Sequence, residues 1–140
     1  MEDERIFDHD IMATMAHDIM LYEQGIISHR DLRAILGALS EIEEKREING
    51  QSFEDVHELL ESKVIGAAGM ETGGKMHTAR SRNDQVNVAI RMRVRADILD
   101  LCATILGLSR TMLRLAGRYA AQIMPLYTHT QRAQVGTLGH

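Results

Sequence analysis

Proline is almost missing from this 140-residue chain: Pro125 stands alone, so long stretches contain no helix breaker. Tryptophan is absent and aromatic residues make up only 4%. With 44% apolar residues a core can still form, but it must be built from Leu, Ile, Met, Val and Ala rather than from rings. The single cysteine, Cys102, excludes an internal disulfide and fits a reducing compartment. No apolar run approaches the roughly 20 residues of a membrane span. The charged start Met1-Glu2-Asp3-Glu4-Arg5 lacks a signal peptide's apolar segment. Basic excess is lacking too: the net charge is −4 with histidines neutral, which disfavours a general nucleic-acid binder. These absences describe an all-α protein, soluble and cytoplasmic by default, with neither membrane nor nucleic acid as partner. The length is one domain's worth, or a piece of something larger.

What is present is helical periodicity. Residues 8–24 read as a helix with Ile11, Met15, Ile19 and Tyr22 on its apolar face and Gly25 as the stop. Ser28-His29-Arg30-Asp31 has the form of a capping box with Asp in place of Glu. It opens a second helix to about Glu47, with Leu32, Ile35, Leu36, Leu39 and Ile42 inward. Asn49-Gly50 marks a turn. Ser52 is placed to cap a third helix from about Phe53 to Ala68, carrying Val56, Leu59, Leu60, Val64 and Ile65. A loop punctuated by Gly73-Gly74 follows.

From about Asp84 to Gln122 the pattern changes scale. Val94, Ile98, Leu101, Ile105, Leu108, Met112 and Leu115 alternate steps of four and three, a heptad seam. Leu99, Cys102, Leu106, Leu113 and Ala116 form a second stripe beside it. Two stripes imply more than one neighbouring helix, and Gly107 and Gly117 would permit close approach. A helix of this length would reach roughly 58 Å, against a radius of gyration of about 14 Å for a compact chain of this size. The expectation is a helix that leaves its own domain and joins a bundle made by several chains. The alternative is a helix broken near Gly107 and folded back.

Three polar clusters interrupt this pattern. His77-Thr78-Ala79-Arg80-Ser81-Arg82-Asn83-Asp84-Gln85 lies where the long helix begins. Two arginines with Ser, Thr and Asn beside a helix N-terminus suit a carboxylate ligand. The plain reading is a solvated loop with Asn83 or Asp84 as N-cap. Tyr127-Thr128-His129-Thr130-Gln131-Arg132-Ala133-Gln134 follows Pro125 and reads as the opening of another helix. A histidine among threonines and glutamine can transfer protons near neutral pH, or can simply be solvated. Glu54-Asp55-Val56-His57 places two acids in a first turn, which by itself is an ordinary complement to the helix dipole. No histidine has metal-ligand spacing, and there is no phosphate loop or dinucleotide fingerprint.

In order and approximate spacing these clusters resemble the signatures of the argininosuccinate lyases, and the resemblance covers essentially the whole chain. It implies a helical N-terminal domain (1–76), then a signature loop and the start of a central bundle of the fumarase/aspartase type (77–140). It also implies reversible elimination of argininosuccinate to arginine and fumarate, without cofactor or metal, in a homotetramer whose active sites draw on three subunits. By resemblance Arg82, Asn83 and Thr128 hold carboxylates, and Asp55 meets the cationic part of the substrate. His129 moves the proton or orients the group that does. Gln131 and Gln85 stand behind these, and His57, Arg80 and Ser81 position the others.

The chain departs from the family in several places. It has no Ser/Gly-rich loop of the kind that carries the family's catalytic serine, and no early Trp-Gly-Gly-Arg-Phe segment. Val135 stands where the family usually has proline. The expectation is therefore a truncated enzyme, inactive on its own. Two other readings remain: a non-catalytic helical assembly module, and another fumarate-releasing lyase of the same superfamily.

Overall fold

The computed structural model describes residues 2–46, 53 and 55–140. The readings placed on Glu47, Asn49-Gly50, Ser52 and Glu54 lie outside the described residues. A short 3-10 turn (Glu2–Ile6) leads into α1 (Phe7–Glu23). Then come α2 (His29–Lys45), α3 (Val56–Ala68), α4 (Met70–Gly73), a 3-10 turn (Gly74–His77), α5 (Arg82–Arg118) and the strands β1 (Ile123–Thr128) and β2 (Gln131–Thr137). The chain divides into two compact units, Met1–Arg95 and Ala96–His140.

The helix boundaries follow from local chemistry. α1 ends in a Schellman arrangement: Gly25 takes φ +70°, its N–H donates to the Tyr22 carbonyl, and the Ile26 N–H donates to the Leu21 carbonyl at 2.8 Å. Only glycine adopts that backbone without steric penalty. α2 opens with the expected capping box. Ser28 Oγ accepts from the Asp31 N–H at 3.1 Å, and Asp31 Oδ2 accepts from the Ser28 N–H at 3.2 Å. Asp31 also receives Lys75 Nζ at 2.9 Å and Thr72 Oγ1 at 3.3 Å, tying the start of α2 to the segment after α3. α3 is capped by Asp55, whose Oδ1 accepts from the Glu58 N–H at 2.6 Å.

The core of the first unit is aliphatic, as the composition requires. Ile35, Leu39 and Ile42 of α2 meet Val56, Leu60 and Val64 of α3, with Phe7, Ile11 and Leu21 of α1 and Met76 closing it. Gly73 is required by close packing: a Cβ there would lie 2.7 Å from the Ile65 Cα. The apolar face expected on α1 is corrected in part. Ile11 is buried and Met15 packs against the core, but Ile19 and Tyr22 are exposed, and the inward face also carries Asp10, Thr14 and Asp18, all fully buried. These three sit at steps of four, which align on one side of a helix.

α5 is unbroken through Gly107 for 37 residues, about 55 Å at 1.5 Å per residue. Its heptad residues Val94, Ile98, Leu101, Ile105, Leu108, Met112 and Leu115 are exposed, as are Leu99, Leu106 and Leu113. Among the described residues, a Cβ at Gly107 or Gly117 would meet nothing within 4 Å beyond the helix's own neighbouring backbone. Among the described residues, no helix is long and apolar enough to cross a membrane.

The segment after Pro125 is an antiparallel hairpin, not the opening of a helix. Thr128 pairs with Gln131 and Tyr127 with Arg132, and an irregularity between Pro125 and Tyr127 bends the ribbon. His129 and Thr130 form the two-residue turn at φ +50° and +65°, the geometry whose twist suits paired strands. Ile123, Tyr127, Thr128 and Val135 are β-branched or aromatic residues that favour this extended form. Gly139 lies so close to the end of α5 that a Cβ would fall 2.3 Å from the Ala116 carbonyl oxygen.

Candidate functional site

In the first unit, the loop before α5 is pinned to α1 on both sides of a strained residue. The Thr78 carbonyl accepts from His17 Nε2 at 3.0 Å, and Arg80 Nη1 donates to Thr14 Oγ1 at 2.9 Å. Between them Ala79 adopts φ +56°, which costs a residue with a Cβ about 1 kcal/mol or more. Ser81, rather than Asn83 or Asp84, caps α5. Its Oγ accepts from the Asn83 N–H at 3.2 Å, and its own N–H donates to Asp84 Oδ2 at 3.2 Å. The helix end thus uses its own donors in capping. Capture of an anion here would fall mainly on side chains.

Arg82 is the side chain placed for that task. Nη1 donates to Gln85 Oε1 at 3.2 Å and Nη2 to Glu61 Oε2 at 3.4 Å, with Asp55 Oδ1 4.0 Å from Nη1. Arg82, Asp55 and Glu61 line an open cleft of about 620 Å³ with Glu58, Ser62, Ile65 and Met70. Two carboxylates beside one guanidinium, with Glu58 also on the lining, make the cleft suitable for a ligand carrying both charge signs, such as an amino acid or a guanidinium with a carboxylate. Asn83 and Ser81 are exposed beside it in sequence.

Behind Arg82 lies a buried polar network that sequence reasoning missed in part. Gln85 is buried, and its Nε2 donates to Asp10 at 2.9 and 3.1 Å. His57 Nδ1 donates to Asp10 Oδ2 at 2.7 Å, with both side chains buried. Arg80 is charged amid Asp10, Asp18 and Asp84. Burial lowers its pKa from the ordinary value, those carboxylates work against that, and the neighbouring Arg82 charge adds to the lowering. Burial also lowers the His17 pKa, partly offset by the Thr78 carbonyl and reinforced by the charges of Arg80 and His77. Asp18 is pushed up to about 7 by burial, with Arg80 pulling the other way. Neither Asp18 oxygen has a hydrogen-bond partner among the described residues. The available signal was the four-residue spacing of Asp10, Thr14 and Asp18, polar residues in register along one helix. Among the described residues, no group of three or more His, Cys, Asp or Glu side chains is placed to hold a metal ion.

The remaining site residues lie in the second unit. Thr128, His129 and Gln131 come together at the exposed tip of the hairpin, with His129 in the turn and Thr128 and Gln131 as the closing pair. Asp55, His57, Arg80, Arg82 and Gln85 are brought together in the first unit, so the sequence-designated residues form two clusters.

Comparison with known proteins identifies the family. The lyase family model matches residues 1–140. Argininosuccinate lyase of Nitrosopumilus maritimus is 45% identical over 99% of this chain, which spans 29% of that protein. The argininosuccinate lyase of Methanosarcina mazei is 44% identical over 100% of the chain and is matched over 29% of its length. That of Haloarcula marismortui is 45% identical over 99% of the chain and is matched over 28%. The chain thus covers under a third of the length of these relatives. The crystal structure of EDDS lyase in complex with formate superposes with a TM-score of 0.84 at 31% identity, covering 96% of this chain and 27% of that one. An EDDS lyase variant with bound fumarate gives the same values. Matched from end to end by its model and by relatives at 44–45% identity, the chain belongs to the lyase family and is similar to its argininosuccinate lyases.

Proposed function

We propose that this chain forms part of an argininosuccinate lyase, an enzyme that eliminates arginine from argininosuccinate to leave fumarate. The carrying observation is identity of 44–45% along the whole chain to proteins of that name. The fumarate-bound EDDS lyase relative supports a dicarboxylate ligand. In this reading Arg82, Asn83 and Thr128 hold carboxylates, and Asp55 meets the guanidinium side of the substrate in the acid-lined cleft. His129 moves a proton or orients the group that does, and Gln131 supports it. His57, Arg80, Ser81 and Gln85 position these groups. Elimination next to a carboxylate needs carboxylate binders, a base, an acid and charge stabilisation. These residues supply binders and one proton-transfer group, and no cofactor is called for. The exposed stripes of α5 support assembly with further copies into a helical bundle, a homotetramer in this reading, working in the cytoplasm.

A chimera tests the proposal. The chain replaces the matched stretch of the Nitrosopumilus maritimus enzyme, and fumarate formation from argininosuccinate is followed by ultraviolet absorbance. The expected result is activity that falls at least about 100-fold in His129→Ala and Arg82→Ala. A folded, assembled chimera that forms no fumarate would refute the reading. Activity only on another fumarate-yielding substrate would reassign it within the superfamily. The exposed apolar rows of α5 also favour a second reading, assembly without catalysis. In that case the chimera would assemble but remain inert.

A further inference from the structure

We propose that Asp10 is a positioning residue for Arg82, acting through the side-chain amide of Gln85. The inference rests on the reading of Arg82 as the carboxylate-binding group. Nothing in the motifs singles out Asp10: it lies 72 positions before Arg82 on a different helix, and it is not among the residues that line the cleft.

The argument follows from which atoms can donate. A carboxylate only accepts hydrogen bonds, so whatever faces Asp10 must present N–H or O–H. Gln85 therefore turns its nitrogen to Asp10, at 2.9 and 3.1 Å from the two oxygens. An amide has one nitrogen end and one oxygen end. With the nitrogen committed inward, Oε1 must face the other way, where it accepts from Arg82 Nη1 at 3.2 Å. A flipped amide would set N–H groups against both the guanidinium and, from the other end, an oxygen against a carboxylate. The glutamine is only 1% exposed, so water does not replace the lost partners. His57 Nδ1 donates to Oδ2 of Asp10 at 2.7 Å, a second tie that restrains rotation of the carboxylate. The same bond places the His57 proton on Nδ1. A single buried acid thus holds two donors, and one of them hands its orientation to the guanidinium at the cleft. Glu61 and Asp55 add charge near Arg82 but do not select the amide's direction.

The test uses the 140-residue chain, labelled with nitrogen-15 and observed by NMR. In the wild type, the Gln85 amide and the Arg82 Nη protons should give resolved signals, because rotation is held. Asp10→Ala should collapse the Arg82 signals to an averaged one while circular dichroism shows the helices retained. Asp10→Asn should keep them, because its side-chain oxygen still accepts from Gln85 Nε2. Its amide nitrogen then faces His57 and should move the ring proton from Nδ1 to Nε2, read as an exchange of the two ring nitrogen shifts. Unchanged Arg82 signals in a folded Asp10→Ala would overturn the proposal. So would collapse in both variants, since that is the mark of loosened packing rather than lost orientation. If Asp10→Ala does not fold, Gln85→Ala decides: Arg82 averaging with His57 undisturbed supports the relay, and resolved Arg82 signals refute it. Fumarate is then titrated into the wild type. An Arg82 that does not respond counts against the carboxylate-binding role alone, because the Asp10 dependence is read without ligand.

Discussion

α1 and α2 have the same length, 17 residues, and pack against each other, yet they bury opposite chemistry. α2 turns Ile35, Ala38, Leu39 and Ile42 inward and keeps its charges outside, apart from Asp31 in the capping box. α1 buries Asp10, Thr14 and Asp18 among Phe7, Ile11 and Leu21. The first pattern stabilises by removing apolar surface from water. The second works against stability wherever a polar group lacks a partner. At Asp10 and Thr14 it is sustained because Arg80, Gln85 and His57 reach them from later in the chain, whereas Asp18 has no such partner among the described residues. The difference teaches that α2 serves as scaffold, while α1 is the wall on which the loop before α5 is organised.

The largest expected effect comes from breaking the scaffold. Leu39→Ala removes a fully buried side chain from the core cluster, and should cost about 4 kcal/mol in urea denaturation. A loss below about 1 kcal/mol would show that α2 is not the supporting element.

The second effect has the opposite sign and concerns α1. Asp18 has its folded pKa raised from 3.8 to about 7, so its neutral form fits the core and its charged form does not. Its contribution is fully present below about pH 4 and is lost as pH rises through about 7. Asp18→Asn should therefore leave stability near that of the wild type at about pH 4 and raise it by about 2–3 kcal/mol at about pH 8. Equal stability of the two proteins at both pH values would remove Asp18 from the account. Asp31 sharpens the contrast. Hydrogen bonds from the Ser28 and Lys75 side chains hold it below the usual carboxylate range. Its contribution is present above about pH 4 and fades as pH falls, so Asp31→Asn should lower stability at neutral pH and matter least in acid.

The smallest effect tests a boundary. Ser28→Ala removes the acceptor for the Asp31 N–H and should cost about 1 kcal/mol, with α2 fraying from its first turn in hydrogen exchange. Unaltered protection at the start of α2 would mean that the tie from Asp31 to Lys75 suffices alone.

Legibility in the sequence followed the range of each interaction. The capping box at Ser28, the stop at Gly25, the inward face of α2 and the unbroken run of α5 all depend on residues within a few positions of each other. Each could be read from spacing. The segments bearing Arg82 and His129 were legible as motifs. The inward face of α1 was legible only at Ile11 and Met15, because apolar spacing also pointed to Ile19 and Tyr22, while burial of Asp10 depends on groups 47 and 75 positions away. The hairpin tip was not legible either. Thr128 and Gln131 gain their places by pairing across a turn whose two left-handed residues, His129 and Thr130, lack the glycine or asparagine that announces such turns.

The chain alone therefore determined the stop of α1 at Gly25, the start of α2 at Ser28, the aliphatic nature of the core, and the family it resembles. Caps, periodicity and composition act within one or two turns of backbone. Tertiary structure alone decided that a polar face of α1 lies inside, that Gln85 joins Asp10 to Arg82, and that His129 stands at the end of a ribbon. A buried polar side chain is stable only beside its partner, and partners come from distant parts of the chain only after folding has brought them together.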